Sequence, residues 1–458
     1  MHNRIAMFCY ALGLLIFCVV VASLAQAEFA TVSIDPAKDH INLSQFIYRL
    51  EDPGGRLTLA EIQSPSIASG FRLGAPNIGF TPSAYWLRVT VENISPNSSI
   101  WWLDSGNRTL QEIDLFIPDE KNVYQHQLAG STYSFASRPL PTPNFVFPVQ
   151  LPPQQSVDIY LRVRSTGYLG VNTSPQLWRP GAYQARLTSQ RSQWMFYLGI
   201  ATALGIFNFL LYFSIRDINY LLYVLSLLSI VWLICSTDGG FGSAFEYLWP
   251  NSPVFEQTAW VASILPCTCF PFLFIGRFIE FRRNMPRLYF FASTFLVITS
   301  LFLCVLIVIS ALQLPVSPRL LESAYIAGGI TWLIYLACML SGIGTLAVSG
   351  NRSARFIAIA WPPLILTSIA AVILQILGVT EFPMSLVMWA SAFELATMSY
   401  ALADRFNQEK KAKTQAQVAL VEGLQRSERE LEGKVAQRTR ELQNAQSRTT
   451  ELLHNILP

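Results

Sequence analysis

The chain has 458 residues, of which 52% are hydrophobic and only 13% are charged. That composition excludes an ordinary soluble domain, in which about a quarter of the residues are charged. The formal net charge of +3 gives no reason to expect a nucleic-acid partner, and the basic residues are more informative when each loop is considered separately.

Residues 1–27 have the pattern of an export signal. Arg4 provides a basic start, Phe8 to Ala22 form an apolar run, and Ala25-Gln26-Ala27 is a small-x-small cleavage site. We expect cleavage before Glu28. The alternative is an uncleaved signal anchor, but the apolar run is shorter than the ~20 residues that a membrane span needs.

Residues 28–186 predict an all-β exported domain. In "YWLRVTVEN", Tyr85, Leu87, Val89 and Val91 alternate with Trp86, Arg88, Thr90 and Glu92, which is typical of a half-buried strand. The same alternation occurs in Glu112–Pro118, Asn144–Leu151 and Ser156–Ser165. Short strands with turn residues between them predict an antiparallel sandwich or jelly roll, and the absence of cysteine from this stretch means that a core has to stabilise it.

The exported domain contains candidates for ligand binding but no catalytic constellation. Its histidines, His40 and His126, are far apart in sequence and have no nucleophile motif beside them. Aromatic and basic side chains could instead form a platform on which a carbohydrate or another ring-bearing small molecule stacks. The candidates are Trp86, Arg88, Trp101 and Trp178, together with Trp102 and Arg162. Packing in the core or in a dimer interface is the alternative role for each tryptophan.

Residues 187–402 predict a seven-helix membrane domain. Each of its apolar stretches is close to the ~20 residues that cross a bilayer. They are Trp194–Phe213, Tyr220–Cys235, Thr258–Phe278, Tyr289–Leu312, Ser323–Val348, Phe356–Leu377 and Ser385–Leu402. The loops after the odd-numbered stretches are basic and the alternate loops carry only Arg319. This bias predicts a periplasmic N-terminal domain, a cytoplasmic C-terminus and a place in the bacterial inner membrane.

The stretches are nearly free of charge, which argues against a transporter. Glu394 is the main exception, and we expect it either to stabilise one of two helix arrangements or to have a satisfied structural role. Cys267 and Cys269 point to different faces of a helix, so they are expected to pack rather than to bind metal. The loop Ser236–Pro253 is expected to cap the helices beneath the exported domain.

Several segments resemble the bacterial seven-transmembrane receptors with diverse intracellular signalling modules. They are "NIGFTPSAYWLRVTVENIS" (Asn77–Ser95), "LGIATALGIFNFLLYFSIRDINYLLYVLSLLS" (Leu198–Ser229), "EYLWP" (Glu246–Pro250) and "FELATMSYALADR" (Phe393–Arg405). The resemblance implies that the exported domain is a jelly-roll sensor related to carbohydrate-binding modules. It also implies that the helices relay the state of that sensor to a cytoplasmic output, while ligand and output vary within the family.

Residues 403–450 predict a coiled-coil signalling helix. With Val421 at position a, the seam is imperfect, because Glu428 occupies an a position and Arg438 a d position. The apolar members of the seam are Val421, Leu424, Leu431, Val435, Leu442, Ala445 and Leu452. We expect a parallel homodimer whose soft seam can change register, with a single solvated helix as the alternative.

The segment "LLHNILP", Leu452–Pro458, resembles the transducing segment at the start of class III nucleotide cyclases, a Leu-Leu-x-Asn-Ile-Leu-Pro pattern. The resemblance implies that Leu452, Asn455 and Pro458 take part in signal transmission. It also implies a catalytic domain beyond Pro458 that uses ATP with Mg or Mn, with cAMP expected as product rather than cGMP. The chain itself is expected to hold no catalytic residues, metal or cofactor. A histidine kinase, a diguanylate cyclase or a protein-contact output are the alternatives, because the linker "LEGKVAQRTRELQNAQ" (Leu431–Gln446) suits them as well.

Overall fold

The computed structural model describes residues 31–456 except 36, 75–76, 120, 166–169, 238–242, 315 and 377–384. The predicted signal peptide, its cleavage site and Pro458 lie outside the described residues. The chain divides into two compact units, Met1–Leu395 and Ala396–Pro458. The first unit contains a β-domain and a helical domain.

The β-domain consists of short strands, as the alternating segments predict. They are β1 Val32–Ile34, β2 His40–Asn42, β3 Tyr48–Asp52, β4 Arg72–Leu73, β5 Asn77–Gly79, β6 Ala84–Asn93, β7 Ser99–Asp104, β8 Glu112–Pro118, β9 Tyr124–Ala129, β10 Val146–Leu151, β11 Gln155–Arg164, β12 Val171–Asn172 and β13 Gln176–Trp178. All four segments chosen from the sequence for their alternation fall on strands, namely β6, β8, β10 and β11.

The strands form two main sheets. The larger has the order β4-β3-β6-β11-β8-β9, with β1 added in parallel to β6, and the smaller has the order β10-β7-β13-β2. The remaining pairs of both sheets are antiparallel, and β11 places Leu161 opposite Leu87 of β6. An antiparallel β architecture is therefore present, while the jelly-roll topology stays a prediction.

The main core of the β-domain lies between the two sheets. Leu87, Val89 and Val91 of β6 pack in one cluster with Leu103 of β7 and Phe147 of β10, and each is at most 2% exposed. Full burial of an aliphatic or aromatic side chain contributes about 1.5–3 kcal/mol, so a cluster of this size stabilises the domain without disulfides.

The outer face of the larger sheet is covered as well, which the alternation did not predict. Two helical turns, Leu59–Ile62 and Pro65–Ala68, precede β4 on this side. Ile62, Phe71, Trp86 and Tyr160 form a second buried cluster there. Strand β6 is consequently buried on both faces at Trp86 rather than half-buried.

Seven long helices follow the β-domain. They are α1 Pro180–Ile215, α2 Ile218–Cys235, α3 Pro253–Phe278, α4 Pro286–Ala311, α5 Pro318–Val348, α6 Arg352–Ile376 and α7 Ser385–Ile456. Short helical turns at Ser243–Tyr247 and Phe281–Asn284 precede α3 and α4. Among the described residues, these seven helices are long and apolar enough to cross a membrane, and each predicted stretch begins within one of them.

The first helix begins earlier than the predicted start of the membrane domain at residue 187. Strand β13 ends at Trp178 and α1 begins at Pro180, with only Arg179 between them. Proline is favourable in the first turn of a helix because its missing N–H has no intrahelical partner there. One uninterrupted helix thus leads from the β-domain into the first apolar stretch.

In the second unit, Ala396–Pro458, α7 continues as a polar helix to Ile456. Five apolar side chains of the predicted seam are exposed, from 53% for Val421 to 70% for Leu442, the others being Leu424, Leu431 and Val435. That a second chain covers these side chains in a parallel dimer stays a prediction.

Candidate functional site: the junction of the β-domain and the helices

The N-terminal turns of α1 pack against the smaller sheet of the β-domain. Tyr183 and Leu187, in the first turns of the helix, are buried and pack with Val146 of β10. Tyr183 also meets two aromatic rings edge-on, with centroid distances of 5.6 Å to Trp102 and 5.9 Å to Trp178. Movement of the sheet therefore has to move α1 or break this cluster.

A buried carboxylate lies beside the same cluster. Asp104, at the end of β7, is 2% exposed and accepts hydrogen bonds from the Gly106 N–H at 2.9 Å and from Asn144 Nδ2 at 3.1 Å. Burial raises the pKa of this carboxyl, although the Gly106 and Asn144 hydrogen bonds, a hydrogen bond from Tyr183 and the charge of Arg186 all oppose the rise. Asp104 thus links the sheet to α1 by a polar contact.

A buried ion pair joins the β-domain to α3. Arg108, in the β7–β8 loop, lies 2.8 Å from the carboxylate of Glu256, and the two side chains are 8% and 11% exposed. Arg108 also donates to the carbonyl of Ser236 at the end of α2, and Trp249 Nε1 donates to Glu256 Oε2 at 2.9 Å. Glu256 lies in the first turn of α3, where the helix dipole favours a negative charge. One guanidinium therefore binds two helices at once.

A second polar contact lies next to this pair. The Gln257 side-chain amide donates to the carbonyl of Ser131 at 3.1 Å, and its Oε1 accepts from Gln313, just after α4, at 3.3 Å. The ends of α3 and α4 are thereby connected to the loop that follows β9.

The loop predicted to cap the helices does contact the β-domain. The Phe135 N–H donates to the carbonyl of Pro250 at 3.0 Å, and the Phe135 ring lies 5.8 Å from that of Phe245. On the helical side, Arg191 of α1 lies 2.9 Å from Glu246 of the loop.

Arg138 is held at the centre of this contact. Its guanidinium lies 4.6–5.4 Å from the ring centroids of Phe135, Phe145 and Phe245 and donates to the carbonyl of Thr142 at 2.6 Å. Burial, together with the nearby charge of Arg108, lowers the pKa of Arg138 to about 10. It stays charged at neutral pH and is stabilised by aromatic faces and carbonyl oxygens.

The predicted stacking platform is not present as an exposed surface. Trp86 is 1% exposed and stacks on Phe116 in the second cluster, while Trp101 is 2% exposed in the main core. Neither ring offers a free face to a ligand in this conformation, because each is covered by core side chains. Arg88 is bound to Asp158 at 2.9 Å on the larger sheet.

Trp178 lies on the smaller sheet, away from Trp86 and Arg88. It is half-buried, stacks on His40 with a centroid distance of 4.6 Å, and is approached by Arg186 at 4.7 Å. Trp101 also lines a cleft of about 570 Å³ together with Arg179, Asn93 and Asp39, next to the start of α1. Of the predicted residues, Trp101, Trp102 and Trp178 are therefore those that the structure places near the junction.

Glu394 lies in the interior of the helical domain, as the sequence suggests. It is 6% exposed, and the Trp361 side chain of α6 hydrogen-bonds to it. One turn earlier on α7, Ser391 Oγ lies 3.0 Å from the hydroxyl of Tyr197. The carboxyl is thus surrounded by polar links between α1, α6 and α7.

Glu428 and Arg438, two of the transmission residues predicted in the coil, lie in the polar part of α7. Glu428 and Arg438 are exposed, and Arg438 pairs with Glu441 one turn away at 3.3 Å. Leu452 and Asn455 lie within α7, and Pro458 lies outside the described residues.

Sequence reasoning missed the junction residues Asp104, Arg108, Arg138 and Glu256. The signal available was weak: an acidic residue in the first turn of an otherwise apolar helix, and arginines in loops of a domain with few charges. Within the described part of the chain, no group of three His, Cys, Asp or Glu side chains could hold a metal ion.

Two family models match the chain. The one described as 7TMR-DISM extracellular 2 matches residues 44–179, and the one described as 7TM diverse intracellular signalling matches residues 190–405. The first match covers most of the β-domain, and the second extends from within α1 to Arg405 in α7. No curated protein matches the chain.

Proposed function

Because the chain carries the extracellular and seven-transmembrane domains of the 7TMR-DISM receptors, we propose that it is the sensing and relaying part of a receptor-type nucleotide cyclase. Binding at the β-domain changes the packing of the seven helices. The helix after Leu402 passes that change to a class III cyclase that makes cAMP.

The proposed relay is supported by two attachments between the β-domain and the helices. The smaller sheet contacts the N-terminal turns of α1 through Tyr183 and Asp104. Arg108 binds Glu256 at the beginning of α3 and the Ser236 carbonyl at the end of α2. A change in the β-domain that alters the spacing of these two attachments displaces α1 relative to α3. Both attachments are buried, so the displacement is not absorbed by solvent-exposed linkers.

The distribution of charge supports a periplasmic β-domain and a cytoplasmic C-terminus in a bacterial inner membrane. The β-domain contacts the beginning of α3 at Glu256, whereas Arg282 and Arg283 are exposed beyond the other end of that helix. Asn351, which precedes the basic residues Arg352 and Arg355, donates to the carbonyl of Ile279 at 3.4 Å and so lies at the same end. Basic loops gathered at the end opposite the exported domain follow the positive-inside rule.

The ligand is proposed to be a small molecule, for example a carbohydrate, or a protein that binds at or near the junction. The cleft beside Arg179 offers polar groups, including Asp39 and Asn93, next to the start of α1. A ligand there can shift the receptor only by its difference in affinity for the two arrangements.

The output is proposed from the resemblance of Leu452–Pro458 to the transducing segment of class III cyclases. Such a catalytic domain uses ATP with Mg or Mn and needs two chains, which the exposed seam of Val421, Leu424 and Leu431 can bring together as a parallel dimer. The other candidate outputs are a histidine kinase, a diguanylate cyclase or a protein contact. They stay open because the pattern of the linker Leu431–Gln446 suits these outputs as well as it suits cyclases.

The test is cyclic nucleotide production. The gene, with any reading frame that follows codon 458, is expressed in cells that lack their own adenylate cyclase, and a stop codon placed after codon 458 serves as the control. We expect cAMP only without the stop codon. No cyclic nucleotide in either strain, or autophosphorylation or cyclic di-GMP instead, would reject the cyclase output.

A further inference from the structure

The carboxyl group of Glu394 is buried, and one of its two oxygens lacks a hydrogen-bond partner within the described residues. The Trp361 side chain supplies one hydrogen bond, but Oε2 has no solvent exposure and no hydrogen-bond partner within the described residues. A buried carboxylate normally accepts several hydrogen bonds or pairs with a cation. Glu394 is therefore an exception that needs a physical explanation.

The surroundings of Glu394 offer polar groups but no positive charge. The titratable side chains that face it are Tyr197 from α1 and Cys267 from α3, and Cys235 from α2 lies near Tyr197. No lysine, arginine or histidine interacts with the carboxyl in the part of the chain that the structure describes. A tyrosine or cysteine proton cannot neutralise a carboxylate as a cation does.

The helix that carries Glu394 is fixed on both sides of the residue. Ser391 is bonded to Tyr197 of α1 at 3.0 Å, and the hydroxyl of Tyr223 of α2 donates to the Leu395 carbonyl at 2.7 Å. These two hydrogen bonds fix α7 at Ser391 and at Leu395. They therefore hinder a rotation of the helix that would bring the Glu394 side chain to water.

An unpaired negative charge at the buried position of Glu394 would destabilise the protein. The effective cost of burying an unpaired ion in a protein is several kcal/mol even after relaxation. Adding a proton removes the charge and turns one carboxyl oxygen into a hydrogen-bond donor. The neutral acid is the form that suits an oxygen with no partner and no counter-ion.

We propose that Glu394 is a proton-binding site in the interior of the helical domain, occupied in the packing described here. An arrangement that admits water to Oε2 would release the proton to the solvent as the O–H bond breaks and the carboxylate is hydrated. Since a proton bound to one arrangement stabilises that arrangement by mass action, pH biases the packing of the helices. The proposal does not depend on which enzyme forms the output.

Infrared spectroscopy of the purified full chain in lipid nanodiscs tests the site directly. The spectrum of Glu394→Gln is subtracted from that of the wild type at neutral pH, which isolates the contribution of Glu394 from those of the other carboxyl groups. We expect the carboxylic-acid C=O stretch to be lost in Glu394→Gln, with no loss of carboxylate bands. Glu322→Gln, which removes an exposed carboxylate on α5, should show the opposite pattern.

Loss of carboxylate bands in Glu394→Gln would overturn the proposal. If Glu394→Gln fails to fold, the wild type alone still tests it: in deuterated buffer, a carboxylic-acid band should persist to neutral pH and disappear as pH rises further. Sodium at constant pH should leave that band unchanged. A band that disappears on adding sodium would instead identify a cation site and contradict proton binding.

Discussion

The guanidinium of Arg108 lies 2.8 Å from the carboxylate of Glu256, and both side chains are almost fully buried where the β-domain meets the helices. The exposed pair Arg283–Glu280, by contrast, has side chains that are 83% and 50% exposed. Buried pairs respond strongly to the loss of one partner, whereas exposed pairs contribute little. The Arg108–Glu256 contact is consequently the point at which the junction is most sensitive to change.

Replacing Arg108 with methionine should leave the Glu256 charge buried and unpaired. We expect a loss of about 3–5 kcal/mol in the stability of the junction, seen as a lower thermal unfolding midpoint of the full chain in detergent. The double variant Arg108→Met/Glu256→Met should recover much of the loss, because neither charge remains. Arg283→Met should change the midpoint little, and an equal effect of Arg283→Met and Arg108→Met would show that the buried pair has no special role.

Asp104 predicts a pH dependence of stability. Its folded-state pKa is raised above the ordinary value, so the folded protein retains a proton that the unfolded chain has already lost. Stability from this group is complete below the ordinary carboxyl pKa of about 4 and is lost as pH rises toward the raised value. The unfolding midpoint of Asp104→Asn should therefore fall less steeply than that of the wild type over this range.

Asp119 provides a control of opposite sign. Hydrogen bonds from the N–H groups of Val123 and Lys121 lower its pKa. Its contribution is present above the ordinary pKa and is lost as pH falls through the lowered value, so Asp119→Asn should be least stable relative to wild type at neutral pH. Parallel pH profiles for Asp104→Asn and Asp119→Asn would contradict the assignment.

Trp86 should behave as a core residue. Truncation of a buried tryptophan leaves a cavity, so Trp86→Ala is expected to destabilise the β-domain by about 3–5 kcal/mol. Trp178→Ala, at a half-buried position, should cost less. Chemical denaturation monitored by circular dichroism measures both, and a Trp86→Ala variant as stable as the wild type would restore Trp86 as a candidate surface residue.

The seam of α7 predicts a parallel dimer. Single cysteines are introduced at Leu424 and Leu431 in a background without the native cysteines, and disulfide formation is measured in membranes. We expect rapid cross-linking at these d positions and slow cross-linking at Arg426 and Arg440, which lie on the opposite face of the heptad. Equal rates at all four positions would indicate a single solvated helix.

The alternation in strands such as β6 and the length of the apolar stretches were sufficient to predict an all-β domain followed by seven helices. Both patterns reflect local periodicity and burial, which sequence reports directly. The covered outer face of the larger sheet was missed because the residues that cover Trp86, such as Ile62 and Phe71, belong to helical turns with no periodic signal of their own.

The junction could not be predicted, because its partners are distant in sequence. Arg108 and Glu256 are separated by 148 residues, and neither residue alone marks an interface. Glu394 was found from sequence for the opposite reason: a carboxylate in an apolar stretch is conspicuous by itself. Trp86 and Trp101 have the core-packing role that the sequence left open, because alternation assigns a side chain to a face of a strand but does not say whether another segment covers that face. Ligand binding by the candidate residues stays a prediction.

We expect a change at the junction to reach the coil, and cross-linking along α7 in the full chain measures this. Disulfide yields at Leu424, Leu431 and Leu442 are compared between the otherwise unaltered receptor and one that carries Arg108→Met, each shown to be folded. The relative yields at the three positions should change when Arg108 is replaced. Identical yields at every position in the two proteins would contradict it.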